Sequence, residues 1–233
     1  MVQSRCYIFD IDGTLTPPSA KIDPEFEDFF MNWSATRKFY IVSGNDYKKI
    51  EYQLGKTICY LASVVFACSG LIHYKNCRKV WEVEHTFPVE LYTYLQDYLK
   101  ESTYPDRFGT HIEKRGPFIN FSVVGRDCTR EYRKDYYLWD ASNNERKVLS
   151  EYLENNFDVS VSIGGEISID ILPKGWGKHK ILDSIDDEHI SFYGDKTEKG
   201  QNDYSIFQSL LEKGQGVFKV QDYKHTMELL NQG

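Results

Sequence analysis

No two of the five cysteines in this 233-residue chain are spaced as CxxC, and their number is odd. Free thiols in a reducing cytosol follow, and a disulfide framework does not. The six histidines fall in no HxxxH or HExxH pattern, which removes the common zinc frameworks. Long apolar runs are missing too. The first, at residues 6–9, is cut short by Asp10, so neither a signal peptide nor a membrane span is expected. Basic charge is in deficit, with 28 Lys and Arg against 35 Asp and Glu and a formal net charge of -7. A general nucleic-acid surface needs the opposite balance, whereas a local positive pocket for a small anion does not. Internal repeats and low-complexity linkers are absent as well. The expectation is a soluble, cytoplasmic protein with no nucleic-acid or membrane partner.

The 41% hydrophobic and 15% aromatic content supports one core of ordinary size plus a smaller insert. Apolar runs at 6–9, 38–42 and 64–67 read as buried strands, with helical patterns at 25–33 and 47–54 between them. Strands alternating with helices predict a parallel, doubly wound sheet. The middle differs, with helical patterns at 89–100, 128–138 and 144–155, a strand-like stretch at 110–124, and a hairpin at 159–172 around Gly164-Gly165. The first texture then returns: helix 178–184, strand 190–193, helix 204–212, strand 216–220 and a last helix. The chain reads as an α/β, Rossmann-like core at 1–81 and 175–233 with an inserted α+β cap at 82–174.

The chemistry concentrates at the end of the first strand, in Phe9-Asp10-Ile11-Asp12-Gly13-Thr14. Strand side chains two apart share a face, so Asp10 and Asp12 are expected to point the same way. Open parallel sheets bind ligands at this edge. Two carboxylates there repel unless a cation intervenes, and Mg2+ would also neutralise an incoming phosphoryl group. Gly13 permits a sharp turn, and Thr14 offers a hydroxyl and an N–H to phosphate oxygens. A bare Asp-Gly is ordinary turn chemistry; the full run is far more specific.

That run resembles the first motif, DxDx[TV], of the haloacid dehalogenase superfamily of phosphoryl-transfer enzymes. Three later stretches are similar to its remaining motifs, in order: Ser43-Gly44 after the strand at 38–42, Lys178, and Asp195 with Asn202-Asp203 after the strand at 190–193. The resemblance implies Asp10 as nucleophile, Asp12 as general acid and base, and Lys178 as a balancing charge. It implies phosphate contacts from Thr14, Ser43 and Gly44, and Mg2+ held by Asp10, Asp12, Asp195 and Asp203.

Over nearly its whole length the chain also resembles the eukaryotic-type phosphomannomutases. The likeness runs through Gln53-Leu54-Gly55, Ser69-Gly70-Leu71, Lys114-Arg115-Gly116, Gly125-Arg126, Cys128-Thr129, Arg133, Gly164-Gly165, Ser168, Asp170, Gly175-Trp176 and Gly194-Asp195-Lys196-Thr197. It implies that Arg115, Arg126 and Arg133 bind the far phosphate of a substrate while Ser168 and Asp170 hold the sugar. Guanidinium forks suit phosphate oxygens. Charge alone would read Arg126, Arg130 and Arg133 as a solvated face paired with Asp127, Glu131 and Asp135; the family spacing reassigns Arg126 and Arg133 but not Arg130.

The implied activity interconverts mannose 1-phosphate and mannose 6-phosphate, with glucose phosphates as further candidates, through an aspartyl phosphate and a hexose bisphosphate. A homodimer through the caps is implied as well. Tyr132, Tyr136, Tyr137 and Trp139 are candidates for that interface or for simple core. Hydrolysis of a sugar phosphate or bisphosphate uses the same carboxylates and is the alternative. The chain departs from the family in carrying Ser19 in place of an Arg, with Lys21 as a partial substitute, and Ser43-Gly44-Asn45-Asp46 in place of Gly-Gly-Ser-Asp. Gly177 replaces an Asp, the segment between Phe121 and Gly125 is shortened, and residues 208–212 replace an Asp-containing loop associated with a second cation.

Overall fold

The computed structural model describes residues 5–232. In chain order the elements are β1 (Arg5–Phe9), α1 (Pro24–Ser34), β2 (Lys38–Val42), α2 (Tyr47–Leu61), β3 (Val65–Ala67), β4 (Ile72–Lys75), β5 (Arg78–Glu82), α3 (Val89–Glu101), β6 (Ile112–Arg115), β7 (Phe118–Phe121), α4 (Arg130–Asn143), α5 (Glu145–Asn156), β8 (Val159–Gly164), β9 (Ser168–Pro173), β10 (His189–Gly194), α6 (Tyr204–Glu212), β11 (Gly216–Lys219) and α7 (Tyr223–Asn231). They form two compact units, one of Met1–Glu82 with Gly177–Gly233 and one of Val83–Trp176.

The first unit is built on a seven-stranded sheet in the order β11-β10-β1-β2-β3-β4-β5. Pairing is parallel from β11 to β3 and antiparallel from β3 to β5. Alternation along β1 sends Cys6 and Ile8 into a core with Val42, Phe66, Phe192, Ile206 and Leu210. Tyr7 and Phe9 meet an aromatic group instead: Trp33 stands edge-on to Tyr7, Phe30 edge-on to Phe9, and Tyr193 stacks on Phe9. Each such pair is worth about 0.5–1.5 kcal/mol beyond its buried area. α1 starts where the Asp23 side chain accepts from the N–H groups of Glu25 and Phe26, with Pro24 at its first position and Glu25 and Glu27 near its positive end.

The hairpin of β4 and β5 was not expected. It turns through Asn76 and Cys77, both with positive φ (50° and 60°), the conformation that glycine usually signals in a two-residue turn. Residues 178–184, expected as an α-helix, form a 3-10 helix. α2 continues past its expected end through Gly55, whose φ is 77°.

The second unit carries a four-stranded antiparallel sheet in the order β6-β7-β9-β8. Leu91 and Leu95 of α3, Tyr136 of α4 and Leu149 and Leu153 of α5 share a core with Ile119, Phe121, Ile169 and Ile171 of the sheet. Tyr132 packs on Phe108, and Tyr136 and Trp139 pack on Tyr104; of the four candidate interface aromatics Tyr136 is buried in the core, and Tyr132 and Trp139 are half-buried against it. Tyr137 is exposed. Among the described residues no helix is long and apolar enough to cross a membrane.

Candidate active site

The buried strand β1 delivers Asp10 to the edge of the parallel sheet, where its N–H still bonds the Tyr193 carbonyl at 3.0 Å. Beyond it the chain turns at once. The N–H groups of Thr14, Leu15 and Thr16 converge on the Ile11 carbonyl at 2.9–3.1 Å. The buried hydroxyl of Thr226, on α7, bonds the Thr14 carbonyl at 2.7 Å and ties this turn to the far end of the chain.

Lys178 is buried with its Nζ 2.5 Å from Asp10 Oδ1 and 2.7 Å from Asp203 Oδ1. Burial opposes its charge, but the fields of Asp10 and Asp203 and the bonds to both prevail, so its pKa is raised and it stays an ammonium. Thr14 Oγ1 lies 3.4 Å from Asp10 Oδ2. Asp195 follows β10, and its Oδ2 is 3.2 Å from Lys196. Two glycines allow these carboxylates to approach. A Cβ at Gly13, whose φ is +83°, would lie 2.6 Å from Asp195 Oδ2, and one at Gly194 would lie 2.7 Å from Asp203 Oδ2.

Oxygens of Asp10, Asp195 and Asp203 all lie within 4.8 Å of one another. Burial, then the field of Asp203, holds Asp10 well above the usual carboxylate range, with Lys178 pulling the other way. Burial and Asp203 likewise raise Asp195, against Lys196. Asp195 Oδ1 and the nearby motif residue Asn202, through its Oδ1, are buried without a hydrogen-bond partner. Crowded carboxylates and orphaned oxygen donors are the donor set that a hard divalent cation takes, so the residues fit such an ion.

Asp12 is not part of that cluster. Because β1 ends at Phe9, the two-residue alternation does not extend to it, and its carboxylate is taken by other donors. Ser19 N bonds Oδ1 at 2.6 Å, Gln53 Nε2 bonds Oδ1 at 2.9 Å, and Asn45 Nδ2 bonds Oδ2 at 2.7 Å. Ser43 and Gly44 follow β2 directly; Ser43 is buried, and its hydroxyl accepts from Asn45 N at 3.1 Å.

In the second unit, Glu113 and Arg115 on β6 share two bonds, at 2.6 and 2.9 Å. Arg126, in the loop before α4, lies 3.6 Å from the same Glu113 oxygen, and Arg133 on α4 donates to the Arg126 carbonyl at 3.2 Å. The three arginines therefore share one neighbourhood. Burial and then Arg115 lower the Arg126 pKa, while Glu113 opposes them. Arg130 is exposed. Ser168 and Asp170 are two apart on β9 and both buried; Asn120 donates to Asp170 at 2.7 Å, and the Ser168 hydroxyl donates to the Gly164 carbonyl at 3.2 Å. Arg146, paired with Asp140 at 2.8 Å, reaches the carbonyl of Gly165 at 3.1 Å and anchors the hairpin that carries them.

Glu113, Asn120, Arg146, Asn45 and the side-chain role of Gln53 went unread in the sequence. Each is an ordinary polar residue whose partners local pattern does not mark. Gln53 carried a signal as part of Gln53-Leu54-Gly55, and Asn45 as part of Ser43-Gly44-Asn45-Asp46.

Comparison with known proteins shows the family. A model of the eukaryotic phosphomannomutase family matches residues 26–232. The phosphomannomutase of Dendrobium officinale is 35% identical over 92% of this chain and 89% of its own, and phosphomannomutase 1 of Mus musculus is 35% identical over 92% and 87%. The C-terminal domain of trehalose-6-phosphate phosphatase from C. albicans superposes with a TM-score of 0.67 over 99% of this chain and 91% of that one, at 19% identity, a likeness of fold. With relatives of that identity spanning both units, the chain belongs to the eukaryotic phosphomannomutase family.

Proposed function

We propose that the chain interconverts mannose 1-phosphate and mannose 6-phosphate through an aspartyl phosphate on Asp10 and a hexose bisphosphate. What carries the reading is the presence in one chain of a buried carboxylate held by Lys178 and a separate group of three arginines around Glu113. A mutase has to hold a reacting phosphate and a non-reacting one, and each unit supplies residues for one of them.

Asp10 is the nucleophile: its carboxylate oxygen bonds phosphorus as the bond from phosphorus to the sugar oxygen breaks. Asp12 gives that oxygen a proton, and in the reverse transfer takes one from the accepting hydroxyl. Lys178, already ionised and paired with Asp10, offsets charge on the group in transit. Thr14, Ser43 and Gly44 would contact its oxygens. Arg115, Arg126 and Arg133 would fork the distal phosphate, and Ser168 and Asp170 would orient the sugar hydroxyls. Asp10, Asp195 and Asp203 would hold Mg2+, which when bound neutralises phosphoryl oxygens. Glucose phosphates are further candidate substrates. The reading includes a cytoplasmic homodimer, and five cysteines none of which is joined in a disulfide suit a reducing compartment.

The test is incubation with mannose 1-phosphate, Mg2+ and a trace of hexose bisphosphate, with the products resolved. Mannose 6-phosphate is expected. Release of inorganic phosphate without mannose 6-phosphate would overturn the mutase reading in favour of hydrolysis.

A further inference from the structure

Asp12 sits beyond the end of β1, so the strand does not orient it, and a proton-transfer group needs orientation to work. Three residues spaced by four supply it. Asn45 stands just before α2, and Lys49 and Gln53 follow on the same helix face. We propose that Asn45, Lys49 and Gln53 are a row of positioning residues that holds Asp12 in place for proton transfer. The proposal rests on the acid–base role of Asp12 given above.

The hydrogens can be assigned one by one. Asn45 Nδ2 donates to Asp12 Oδ2 at 2.7 Å and to Gln53 Oε1 at 2.9 Å. Gln53 Nε2 donates to Asp12 Oδ1 at 2.9 Å and to Thr16 Oγ1 at 3.2 Å. Gln53 is only 1% exposed, so its amide has no water to fall back on. Turning either amide over would set a carbonyl oxygen against the carboxylate, and the network therefore has one consistent arrangement.

Lys49 acts one step further out. Its Nζ donates to the Ser19 carbonyl at 3.0 Å, while the Ser19 N–H reaches Asp12 Oδ1 at 2.6 Å. Ser19 holds a left-handed φ of 58°, which costs a non-glycine residue about 1–2 kcal/mol. The lysine bond secures that conformation and so keeps the N–H aimed at Asp12. Lys49 and Lys21 both lie over the Tyr52 ring, at 5.2 and 5.1 Å. Lys49 is thus the cation bound at the Ser19 carbonyl.

The row also distinguishes the two oxygens of Asp12. Oδ1 accepts two N–H donors and Oδ2 one. A carboxylate oxygen has about two acceptor sites, so Oδ2 keeps one and carries the proton in transit.

The experiment compares leaving groups, using the full chain with Mg2+. Cleavage of a sugar phosphate needs a proton on the departing oxygen; p-nitrophenyl phosphate releases a stable anion and does not. For Gln53→Met and Lys49→Met, the ratio of kcat/KM for p-nitrophenyl phosphate to that for mannose 1-phosphate should rise at least about tenfold, a part of the 10²–10⁴ that acid–base catalysis supplies. Lys49→Arg should restore the ratio to near the starting value. An equal fall with both substrates would show a merely structural role and overturn the proposal. Lys49 is partly exposed, so its variants carry the test should Gln53→Met not fold. Asp12→Ala is the reference: an unchanged ratio there would overturn the acid–base reading itself, whereas a raised ratio there with flat ratios in the row would overturn the row alone.

Discussion

The ammonium of Lys178 lies 2.5 Å from Asp10 Oδ1, and both groups are buried. The same ammonium serves Asp203 at 2.7 Å. Its removal leaves two like charges in a dry site, which costs about 3–5 kcal/mol when a buried pair is broken. Lys178→Met is therefore expected to lose stability on that scale in urea unfolding. Turnover should fall at least about a hundredfold as the balancing charge is lost. A loss of kcat smaller than about tenfold would remove Lys178 from the mechanism.

Gly13 and Gly165 both have positive φ, but their surroundings differ. A Cβ at Gly13 would press on Asp195 Oδ2, whereas one at Gly165 meets nothing within 4 Å. Gly13→Ala should raise the Mg2+ concentration needed for half-maximal activity and cost more than about 1 kcal/mol. Gly165→Ala should show only the backbone cost, about 1 kcal/mol, with the Mg2+ dependence unmoved. Titrating Mg2+ in both variants separates the two; equal Mg2+ curves would mean that Asp195 does not hold the ion.

Arg126 shares its neighbourhood with Arg115 and Arg133, and Glu113 pairs with Arg115 and Arg126. A charge-assisted bond to a phosphate is worth about 1.5–3 kcal/mol. Arg126→Gln should accordingly raise KM for mannose 1-phosphate about tenfold to a hundredfold. An unaltered KM in steady-state kinetics would return Arg126 to the solvated surface.

His73 packs between the rings of Phe66 and Trp81, with Nε2 3.0 Å from the Gly70 carbonyl. Burial lowers its pKa below the ordinary histidine value of about 6.5, against that hydrogen bond, and burial with Lys180 does the same for His179. Below about pH 6.5 the unfolded chain binds protons that the folded chain refuses. The contribution is present above that pH and lost as pH falls through it. Tm should drop between about pH 7.5 and 5.5, and His73→Gln should flatten the slope. An identical slope in the variant would assign the effect to other groups.

Most of the chemistry could be read in the sequence because it sits in short runs. Asp10 and Asp195 each follow a strand whose apolar run ends at the sheet edge, Asp203 stands just before α6, and three arginines fall at family spacing. The partners of Asp12 were not legible, because strand alternation stops at the end of β1 and its carboxylate is held by Ser19, Asn45 and Gln53. The hairpin through Asn76-Cys77 escaped notice because a cysteine with positive φ carries no turn signal. Asn45 and Lys49 take their roles from partners outside their own stretch of chain, and Glu113 from Arg115 on its own strand and Arg126 beyond it, which local pattern does not encode.

The bond from Thr226 to the Thr14 carbonyl spans 212 residues of sequence. The turn after Asp10 is thus secured by a contact between two distant stretches of the chain, so a substitution in α7 is felt at the candidate nucleophile as well as in the helix itself.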